Sequence, residues 1–400
     1  MSTKTIQLVT GATGFLGSQL VYALLAGGYT VAAVVRDNKT TTGENRLKQL
    51  LLEINPLAHQ YFWNLLCLNG DITSSNLGSE WYQIGADTRI WHVAGDTRFS
   101  PVHREAIMKT NLGGTQNVLN FARQRKIRDF CYISTTYVAG SLNHLSEAAP
   151  VPSINHCRNP YEESKLLAET EVLGWSEEHT DNLYTIVRPA IVAGDSKTGF
   201  TSLFTGYYGY MEAWYHIKQG FAKLDEAGLA KRGIERRENG NIVLPIAVPG
   251  RADSPLSITT IDFVIQGLQA LFELPTRNEV YHLCPPQPKT FGWWLEQSLA
   301  ILGIEGVSIE EAPAINPNQP RYLQQLQHVI ETGCLAYTPY ISHEATFGHY
   351  NADELCTEPH PTIDAEFVHR LLTYAINDNF GKRIVTPVTE TERSEVLLVA

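Results

Sequence analysis

Short apolar runs alternate with longer amphipathic stretches over the first half of the chain. The short runs, rich in Val, Ile and Leu, predict strands at residues 6–10, 30–35, 65–68, 89–93, 130–134 and 184–187. The longer stretches predict helices at residues 15–26, 44–54, 111–124 and 160–173. Strands that alternate with helices form βαβ units, and nearly all-apolar strands are covered by helices on both faces. The pattern therefore predicts an α/β fold with a doubly wound parallel sheet.

The second half of the chain has a different pattern. Residues 200–215 are rich in Tyr and Trp, and residues 224–239 carry a dense mixture of charges that predicts an exposed helix. A predicted helix at 257–272 precedes one more strand at 279–283, which could return the chain to the sheet. Pro-rich connectors then separate predicted helices at 293–302, 320–331 and 363–375. Residues 386–400 resemble a surface tail or a docking strand. This half is therefore expected to form a smaller, mainly helical lobe.

The charge and the cysteines exclude several classes of protein. The chain has 31 Lys and Arg residues against 42 Asp and Glu residues, a net charge of −11 that argues against coating nucleic acid or an anionic membrane. Six scattered cysteines without a CxxC pair favour reduced thiols. The spacing of His343, His349, Cys356 and His360 matches no zinc site, so no metal is predicted.

The apolar segments are too short for a membrane protein. The N-terminus leaves no room for a secretory signal, and Gly27 and Gly28 interrupt the longest apolar region, residues 21–35. A spanning helix needs about 20 consecutive apolar residues. We therefore expect a cytoplasmic protein without a membrane span.

A glycine-rich turn follows the first predicted strand. Gly11, Gly14 and Gly17 form a GxxGxxG pattern that opens the first helix, and Thr13, Phe15 and Leu16 belong to the same turn. Glycine allows the backbone to approach a pyrophosphate, which then lies at the helix N-terminus. Because the turn lies at the first strand-to-helix junction, it predicts a dinucleotide site.

The end of the second strand bears on which dinucleotide binds. An acidic residue there accepts hydrogen bonds from a free ribose 2′-OH, whereas an Arg pairs with a 2′-phosphate. Arg36 comes first and favours NADP(H) over NAD(H), and Asp37 is the competing feature.

Four further positions are expected near this cofactor. Asp71 follows the third strand and could accept from the adenine amino group, while Ile72 would pack on the ring. Ala94 and Gly95 follow the fourth strand, where small residues allow close backbone approach. His92, which precedes them, is interpreted as a packed histidine.

The candidate catalytic groups are Tyr161 and Lys165 in a YxxxK pattern. Positions four apart share one face of a helix, and a nearby ammonium would lower the pKa of the tyrosine so that it can act as an acid or base. One strand earlier, Ser134, Thr135, Thr136 and Tyr137 place hydroxyls at a strand's C-terminal end, where one could hold a substrate carbonyl oxygen. Capping of a turn is the alternative interpretation of Ser134 and Thr136.

These motifs, with residues 110–115 and the Arg188-Pro189 pair, resemble the extended short-chain dehydrogenase/reductase superfamily, which implies a Rossmann-type fold. Within it, residues 159–169, residues 188–199 and the Arg46-Leu47 pair are similar to the male-sterility-like branch of thioester reductase domains and fatty acyl-CoA reductases. A Thr at position 135 replaces the commoner Ser, and Gly348 stands where this branch has Asp.

The resemblance implies roles for further residues. By position in the family motif, Thr135 is the catalytic hydroxyl, with Ser134 as its neighbour, and Asn111 supports a proton path through Lys165. Ile191 and Val192 would contribute backbone groups near the nicotinamide, and Pro189 would lie against its ring.

The expected activity is NADPH-dependent reduction of a carbonyl or an acyl thioester, on CoA or an acyl carrier protein, to an aldehyde or alcohol. Three alternatives stay open: a nucleotide-sugar epimerase or dehydratase with tightly bound NAD, a ketone reductase of the flavonoid or steroid type, and a non-catalytic dinucleotide sensor. Residues 1–199 and about 253–285 are assigned to the cofactor domain, and residues 200–252 and 286–400 to the substrate lobe.

Overall fold

Seven parallel strands form the central sheet of the computed structural model, which describes residues 6–382 except 79–80, 82–83, 149–152, 273 and 275–277. The strands are β1 Ile6–Thr10, β2 Val31–Val35, β3 Leu65–Asn69, β4 Thr88–His92, β5 Asp129–Ile133, β6 Leu183–Pro189 and β7 Glu279–Leu283. Their order across the sheet is β7-β6-β5-β4-β1-β2-β3. The predicted doubly wound Rossmann-type fold is confirmed, including the return of the chain to the sheet at β7.

Adjacent residues of the strands supply two hydrophobic cores, one on each face of the sheet. Leu8 of β1 belongs to one core and Val9 to the other, and Ile90 and Trp91 of β4 divide in the same way. This alternation follows from the two-residue period of a strand. Burial on both faces explains why the strands are apolar at almost every position.

Thirteen α-helices are present in the described part of the chain. They are α1 Phe15–Ala26, α2 Gly43–Ile54, α3 Arg104–Met108, α4 Gly114–Arg125, α5 Pro160–Glu177, α6 Tyr207–Ala222, α7 Glu226–Ala230, α8 Ile261–Ala270, α9 Phe291–Leu302, α10 Arg321–Cys334, α11 Thr338–Ser342, α12 Tyr350–Leu355 and α13 Ala365–Asn377. The predicted helix at 111–124 instead starts with a π-helical turn, Lys109–Gly113, and only then becomes α4. None of the helices within the described ranges is both long and apolar enough to cross a bilayer.

The lobe has a separate hydrophobic core built from α6, α9, α10 and α13. Eleven short strands form one three-stranded sheet and four two-stranded pairs, separate from the central sheet in the described structure. The short strands are His144–Leu145, Ile191–Ala193, Glu235–Arg236, Ile242–Val243, Ala247–Pro249, Pro255–Leu256, Ile258–Thr260, Lys289–Thr290, Ile304–Glu305, Ser308–Glu310 and Thr346–Phe347. Ile191–Ala193 pairs with Ile258–Thr260, so this pair lies where the chain leaves the sheet for the lobe.

Two predicted helices of the second half are wrong in part. Residues 224–239 form only the short helix α7 and a short strand, because Gly233 adopts a φ of +74° that ends the helical path. Leu229 and Ile234 of this segment are buried. The segment 257–272 begins as the strand Ile258–Thr260, and Thr260 then caps α8 by accepting a hydrogen bond from the backbone N–H of Phe263.

The chain returns to the cofactor-binding half near its end. Thr346–Phe347 pairs in parallel with His144–Leu145, and α12 packs against β7 and α8. This stretch belongs to the predicted lobe, yet Ala352 and Leu355 are buried in a core of the central sheet. The predicted tail at 386–400 lies outside the described residues.

Candidate functional site

A cavity of about 870 Å³ opens at the carboxyl ends of the central strands. The lining residues before position 203 come from the glycine turn, the loops after β2 to β6 and the first turns of α5. We call the part formed from residue 203 onward the lobe wall. Its lining residues are Leu203, Thr205, Gly206, Tyr207, Tyr210, Met211, Leu256, Ile258, Phe291, Trp294, Leu295, Ala336, Tyr337, Tyr340 and Ile341.

The glycine turn has the shape of a phosphate cradle. Gly11 has a φ of +70°, and a Cβ at this position would lie 2.6 Å from the backbone nitrogen of Ala94. A Cβ at Gly17 would overlap the carbonyl oxygen of Gly11. Helix α1 begins after Gly14 without a side-chain cap, so its free N–H groups face the cavity with the positive end of the helix dipole. These features fit the pyrophosphate of a dinucleotide.

All six residues predicted for this turn line the cavity, namely Gly11, Thr13, Gly14, Phe15, Leu16 and Gly17. Ile72, Ala94 and Gly95 line it as well, as do Pro189, Ile191 and Val192. The structure thus gathers residues from the ends of four separate strands, β1, β3, β4 and β6, around one space.

Arg36 and Asp37 differ in their surroundings. The exposed guanidinium of Arg36 lines the cavity and lies 3.4 Å from the Asp71 carboxylate. The Asp37 carboxylate is instead occupied by the backbone N–H of Gly43, at 2.8 Å, and by the amide of Asn69. Neither Asp37 nor Asp71 lines the cavity as far as the chain is described. Asp71 accepts from Thr73, so its carboxylate holds its own turn and the Arg36 side chain.

His92 is a buried bridge beneath the cradle. Its Nδ1 lies 2.7 Å from the Thr10 hydroxyl and its Nε2 lies 3.0 Å from the Thr115 hydroxyl. Because the Thr115 hydroxyl donates to the carbonyl of Asn111, Nε2 carries the histidine proton and donates to Thr115. Burial lowers the pKa of His92 to about 3. It is a neutral packed histidine at the end of β4, as the sequence predicted.

Thr135, Tyr161 and Lys165 converge on the cavity. Thr135 follows β5 in an extended conformation and caps the turn Thr136–Ala139, since its hydroxyl accepts from the backbone N–H of Tyr137 at 3.2 Å. Tyr161 lies in the first turn of α5, which Asn159 caps and Pro160 opens. Lys165 follows one turn later, and its Nζ donates to the carbonyl of Ile133 at 2.5 Å.

The protonation of this group differs from the simple YxxxK expectation. Burial raises the pKa of Tyr161 to about 12, and the Thr135 hydroxyl acts in the opposite direction. Burial lowers the pKa of Lys165 to about 7, against the influence of Glu169. Burial is the largest influence on both groups, and Lys165 is not among the groups that shift the pKa of Tyr161. Tyr161 is a protonated phenol at neutral pH, the form that donates a proton.

Asn111 lies behind the cavity lining. Its Oδ1 accepts from the backbone N–H of Asp96 at 2.6 Å, and its Nδ2 donates to the Asp96 carbonyl and the Ser164 hydroxyl. A side chain with these three partners fastens the loop after β4 to α5. The structure thus places Asn111 as a support of that loop.

The hydroxyl cluster after β5 divides into different environments. Ser134 lines the cavity, although its hydroxyl is buried and has no hydrogen-bond partner among the described residues. Thr136 is fully buried and lies outside the described lining. Tyr137 lines the cavity with its ring, and its hydroxyl donates to Glu344 at 2.8 Å.

Four residues that shape this site were not among the predicted site residues: Phe99, Tyr337, Tyr340 and Glu344. The Phe99 ring centre lies 5.6 Å from that of Tyr161 and 5.2 Å from that of Tyr340. The signal for Phe99 was its place in the loop after β4, at the ligand-binding edge of the sheet. Tyr340 and Glu344 approach this edge only through tertiary folding.

The aromatic block at 200–215 serves two purposes. Tyr207, Tyr210 and Trp294 line the cavity and also pack into the lobe core. These aromatic side chains therefore contribute both to the hydrophobic core of the lobe and to the wall of the cavity.

A family model described as "Male sterility protein" matches residues 9–223, which is more than half of the chain. The chain belongs to the male sterility protein family. This match confirms the resemblance to the branch of the extended short-chain dehydrogenases/reductases that holds the fatty acyl-CoA reductases.

Two relatives of this male sterility family protein carry reductase names. A bifunctional dihydroflavonol 4-reductase/flavanone 4-reductase of Malus domestica is 30% identical, over 56% of this chain and 66% of its own length. Fatty acyl-CoA reductase 1 of Rattus norvegicus is 27% identical, over 55% of this chain and 41% of its own length. The chain thus spans less than two thirds of the length of either relative.

The terminal R domain from the myxalamid PKS-NRPS biosynthetic pathway has the same fold. Its crystal structure superimposes with a TM-score of 0.73 at 20% identity, covering 95% of this chain and 92% of that one. The likeness therefore includes the lobe as well as the central sheet.

Proposed function

We propose that this protein is an NADPH-dependent reductase of the carbonyl group in an acyl thioester, an aldehyde or a ketone. One observation carries the proposal: a single cavity joins the glycine cradle, the Thr135, Tyr161 and Lys165 side chains and the apolar lobe wall. A cofactor, a proton donor and an apolar substrate can therefore meet in one space.

The cradle and Arg36 would hold the cofactor. The free N–H groups of the turn and of α1 would bind the pyrophosphate, and Arg36 would pair with a 2′-phosphate. The placement of the two side chains supports NADP(H), because Arg36 lines the cavity whereas Asp37 accepts from Gly43 and Asn69 and is not among the described lining residues. When bound, the nicotinamide supplies the hydride.

Thr135 and Tyr161 would act on the substrate carbonyl oxygen. Both hydroxyls can donate to the oxygen as negative charge develops on it, and Tyr161 then gives up its proton. Its raised pKa keeps that proton in place until the oxygen becomes basic. For a thioester, the resulting hemithioacetal would lose its thiol to leave an aldehyde. Lys165 would hold the cofactor ribose, and Asn111 would act through the loop that it fastens.

The lobe wall favours an uncharged, apolar substrate. Within the described residues it carries no Asp, Glu, Lys, Arg or His. An acyl chain or a fused ring system could replace water against its Tyr, Phe, Trp and Leu side chains. The name of the rat relative supports an acyl thioester, on CoA or on a carrier protein.

A ketone reductase is the second candidate, supported by the name of the Malus domestica relative. Its substrate would use the same three catalytic groups and the same wall. A nucleotide-sugar epimerase is disfavoured, because the wall available to its polar sugar ring is mainly apolar and aromatic.

Substrate-dependent oxidation of NADPH tests the proposal. The purified protein would be assayed with acyl-CoAs, acyl-carrier-protein thioesters, aldehydes, and flavonoid and steroid ketones, with identification of products. We expect turnover of at least one carbonyl class and a loss of about 100-fold or more in kcat for Tyr161→Phe. Tyr22→Phe, which removes a hydroxyl bonded to Asn55 far from the cavity, is the control. Release of bound NAD on denaturation, without NADPH oxidation, would favour the epimerase instead.

A further inference from the structure

Glu344 is a buried carboxylate that the proposed chemistry does not use. It is 5% exposed and lies between α11 and the strand Thr346–Phe347. Its Oε1 accepts from the Tyr137 hydroxyl at 2.8 Å, and its Oε2 accepts from both the backbone N–H and the hydroxyl of Ser257 at 2.8 Å. These three donors give each oxygen of the carboxylate at least one hydrogen bond.

Each partner of Glu344 leads to a different wall of the site. Tyr137 lines the cavity, and its backbone N–H donates to the Thr135 hydroxyl. Ser257 accepts from the backbone N–H of Ile191 at 3.2 Å, next to the wall proposed for the nicotinamide. Through these hydrogen bonds, Glu344 connects the segment after α11 to the catalytic turn after β5 and to the loop after β6.

Glu344 also orients the rings of Tyr137 and Tyr340, which we call the aromatic roof. Because the Tyr137 hydroxyl points to Glu344, its ring meets the ring of Tyr340 edge-on at 4.7 Å. Tyr340 is held from the other side by Asn159, which donates to its hydroxyl at 2.5 Å, and by Arg158, whose guanidinium lies 4.3 Å from the ring centre. Asn159 caps the helix that carries Tyr161. The roof and the proton donor therefore share their supports.

We propose that Glu344 is a positioning residue for the reaction: through Tyr137 and Ser257 it sets the substrate carbonyl between Thr135 and Tyr161. The proposal rests on the proposed reductase function. Displacement of a reacting group by about 1 Å can lower the rate about 100-fold. Loss of the hydrogen bonds from Tyr137 and Ser257 to Glu344 should therefore lower kcat. The donors to Glu344 come from Tyr137 and Ser257 and none comes from the glycine turn or Arg36, so NADPH affinity should be preserved.

Glu147 offers a matched control. It is also a buried glutamate, at 6% exposure. Its carboxylate also accepts hydrogen bonds from distant parts of the chain, namely the backbone N–H groups of His282, Asn351 and Ala352. None of these partners is among the residues that line the cavity in the described structure. Glu344→Gln and Glu147→Gln therefore remove similar charges from similar surroundings but differ in their connection to the site.

The test compares kcat, KM and the NADPH Kd of the full chain for wild type, Glu344→Gln, Glu147→Gln, Tyr137→Phe and the Tyr137→Phe/Glu344→Gln double variant. We expect Glu344→Gln to lower kcat about 10- to 100-fold per folded molecule, with the NADPH Kd within about two-fold. Glu147→Gln should keep its kcat, even where it lowers stability. The double variant should be no slower than the slower single variant, because both changes break one connection.

The outcomes separate the two proposals. A wild-type kcat in Glu344→Gln, or equal losses in Glu344→Gln and Glu147→Gln, would overturn the role of Glu344 while leaving the reductase function intact. If the wild-type protein fails to oxidise NADPH with every carbonyl substrate tested, both proposals are overturned. If Glu344→Gln does not fold, Tyr137→Phe decides, since it removes the same hydrogen bond without a change of charge.

Discussion

Arg188 of β6 and Glu169 of α5 form a bidentate ion pair beneath the catalytic helix, with N···O distances of 2.9 and 2.6 Å. Their side chains are 1% and 0% exposed. Glu169 lies one helical turn after Lys165 and favours its charged form. The pair thus fastens the helix that carries Tyr161 and Lys165 to the sheet.

Removal of one partner should be costly. We expect Glu169→Gln to lower the free energy of unfolding by about 3–5 kcal/mol, because it leaves the Arg188 charge buried and unpaired. Denaturant unfolding measures this. Glu178→Gln, in the exposed pair with Arg123, should change it by no more than about 1 kcal/mol. A loss of equal size in the two variants would contradict the expectation.

Cofactor choice should depend on Arg36. We expect Arg36→Ala to weaken NADPH binding about 10- to 100-fold and to leave NADH binding nearly unchanged, since only NADPH carries the 2′-phosphate. Titration of each dinucleotide against protein fluorescence gives both Kd values. Arg123→Ala, at an exposed arginine also paired with a carboxylate, should leave both unchanged. An equal loss for NADPH and NADH would show that Arg36 does not read the phosphate.

The glycine turn should not tolerate a side chain. We expect Gly17→Ala to destabilise the fold by about 1–3 kcal/mol and to abolish dinucleotide binding, because its Cβ overlaps the Gly11 carbonyl. Gly174→Ala is the control: a Cβ on this residue of α5 meets nothing within 4 Å. Alanine there should stabilise the protein by about 0.5–1 kcal/mol. Thermal unfolding with and without NADPH distinguishes the two variants, and normal binding by Gly17→Ala would refute the cradle.

His92 should make stability fall in acid. In the unfolded chain the histidine binds a proton below about pH 6.5, whereas in the folded protein its pKa is about 3. Between these values the unfolded state holds the extra proton, so stability decreases as the pH is lowered, by at most about 1.4 kcal/mol per pH unit.

The variant His92→Gln isolates this contribution. Glutamine can still donate to Thr115 and accept from Thr10, but it does not titrate. As the pH falls from about 7 to about 4, we expect the free energy of unfolding to decrease more in the wild type than in the variant. His282→Gln should behave in the same way, because burial also lowers the pKa of His282 to about 3. A pH-independent difference for His92→Gln would contradict the assignment.

Local sequence was enough to predict most of the central sheet and the cofactor side of the cavity. The strands Ile6–Thr10 and Glu279–Leu283 and the helix Phe15–Ala26 have the predicted bounds, because apolar runs and glycines act over a few residues. Tyr161 and Lys165 face one space because they are one helical turn apart.

The other side of the cavity could not be predicted in this way. The partner of Tyr137 is Glu344, and Arg158 holds the carbonyls of Pro339 and His343, at separations of about 200 positions. No periodic pattern connects such residues. Burial of the tyrosine and lysine likewise sets their pKa values, and burial of a charged group is a property of the tertiary fold.

The pairing of Thr346–Phe347 with His144–Leu145 has a consequence for how the protein is made. Synthesis proceeds from the N-terminus, and early segments fold first. A nascent chain that has reached β7 holds every strand of the sheet and the whole glycine cradle, yet Tyr137 has no anchor until residue 344 emerges. The growing polypeptide thus acquires its cofactor cradle well before its catalytic geometry is complete, and a segment made more than 300 residues after the cradle connects the two.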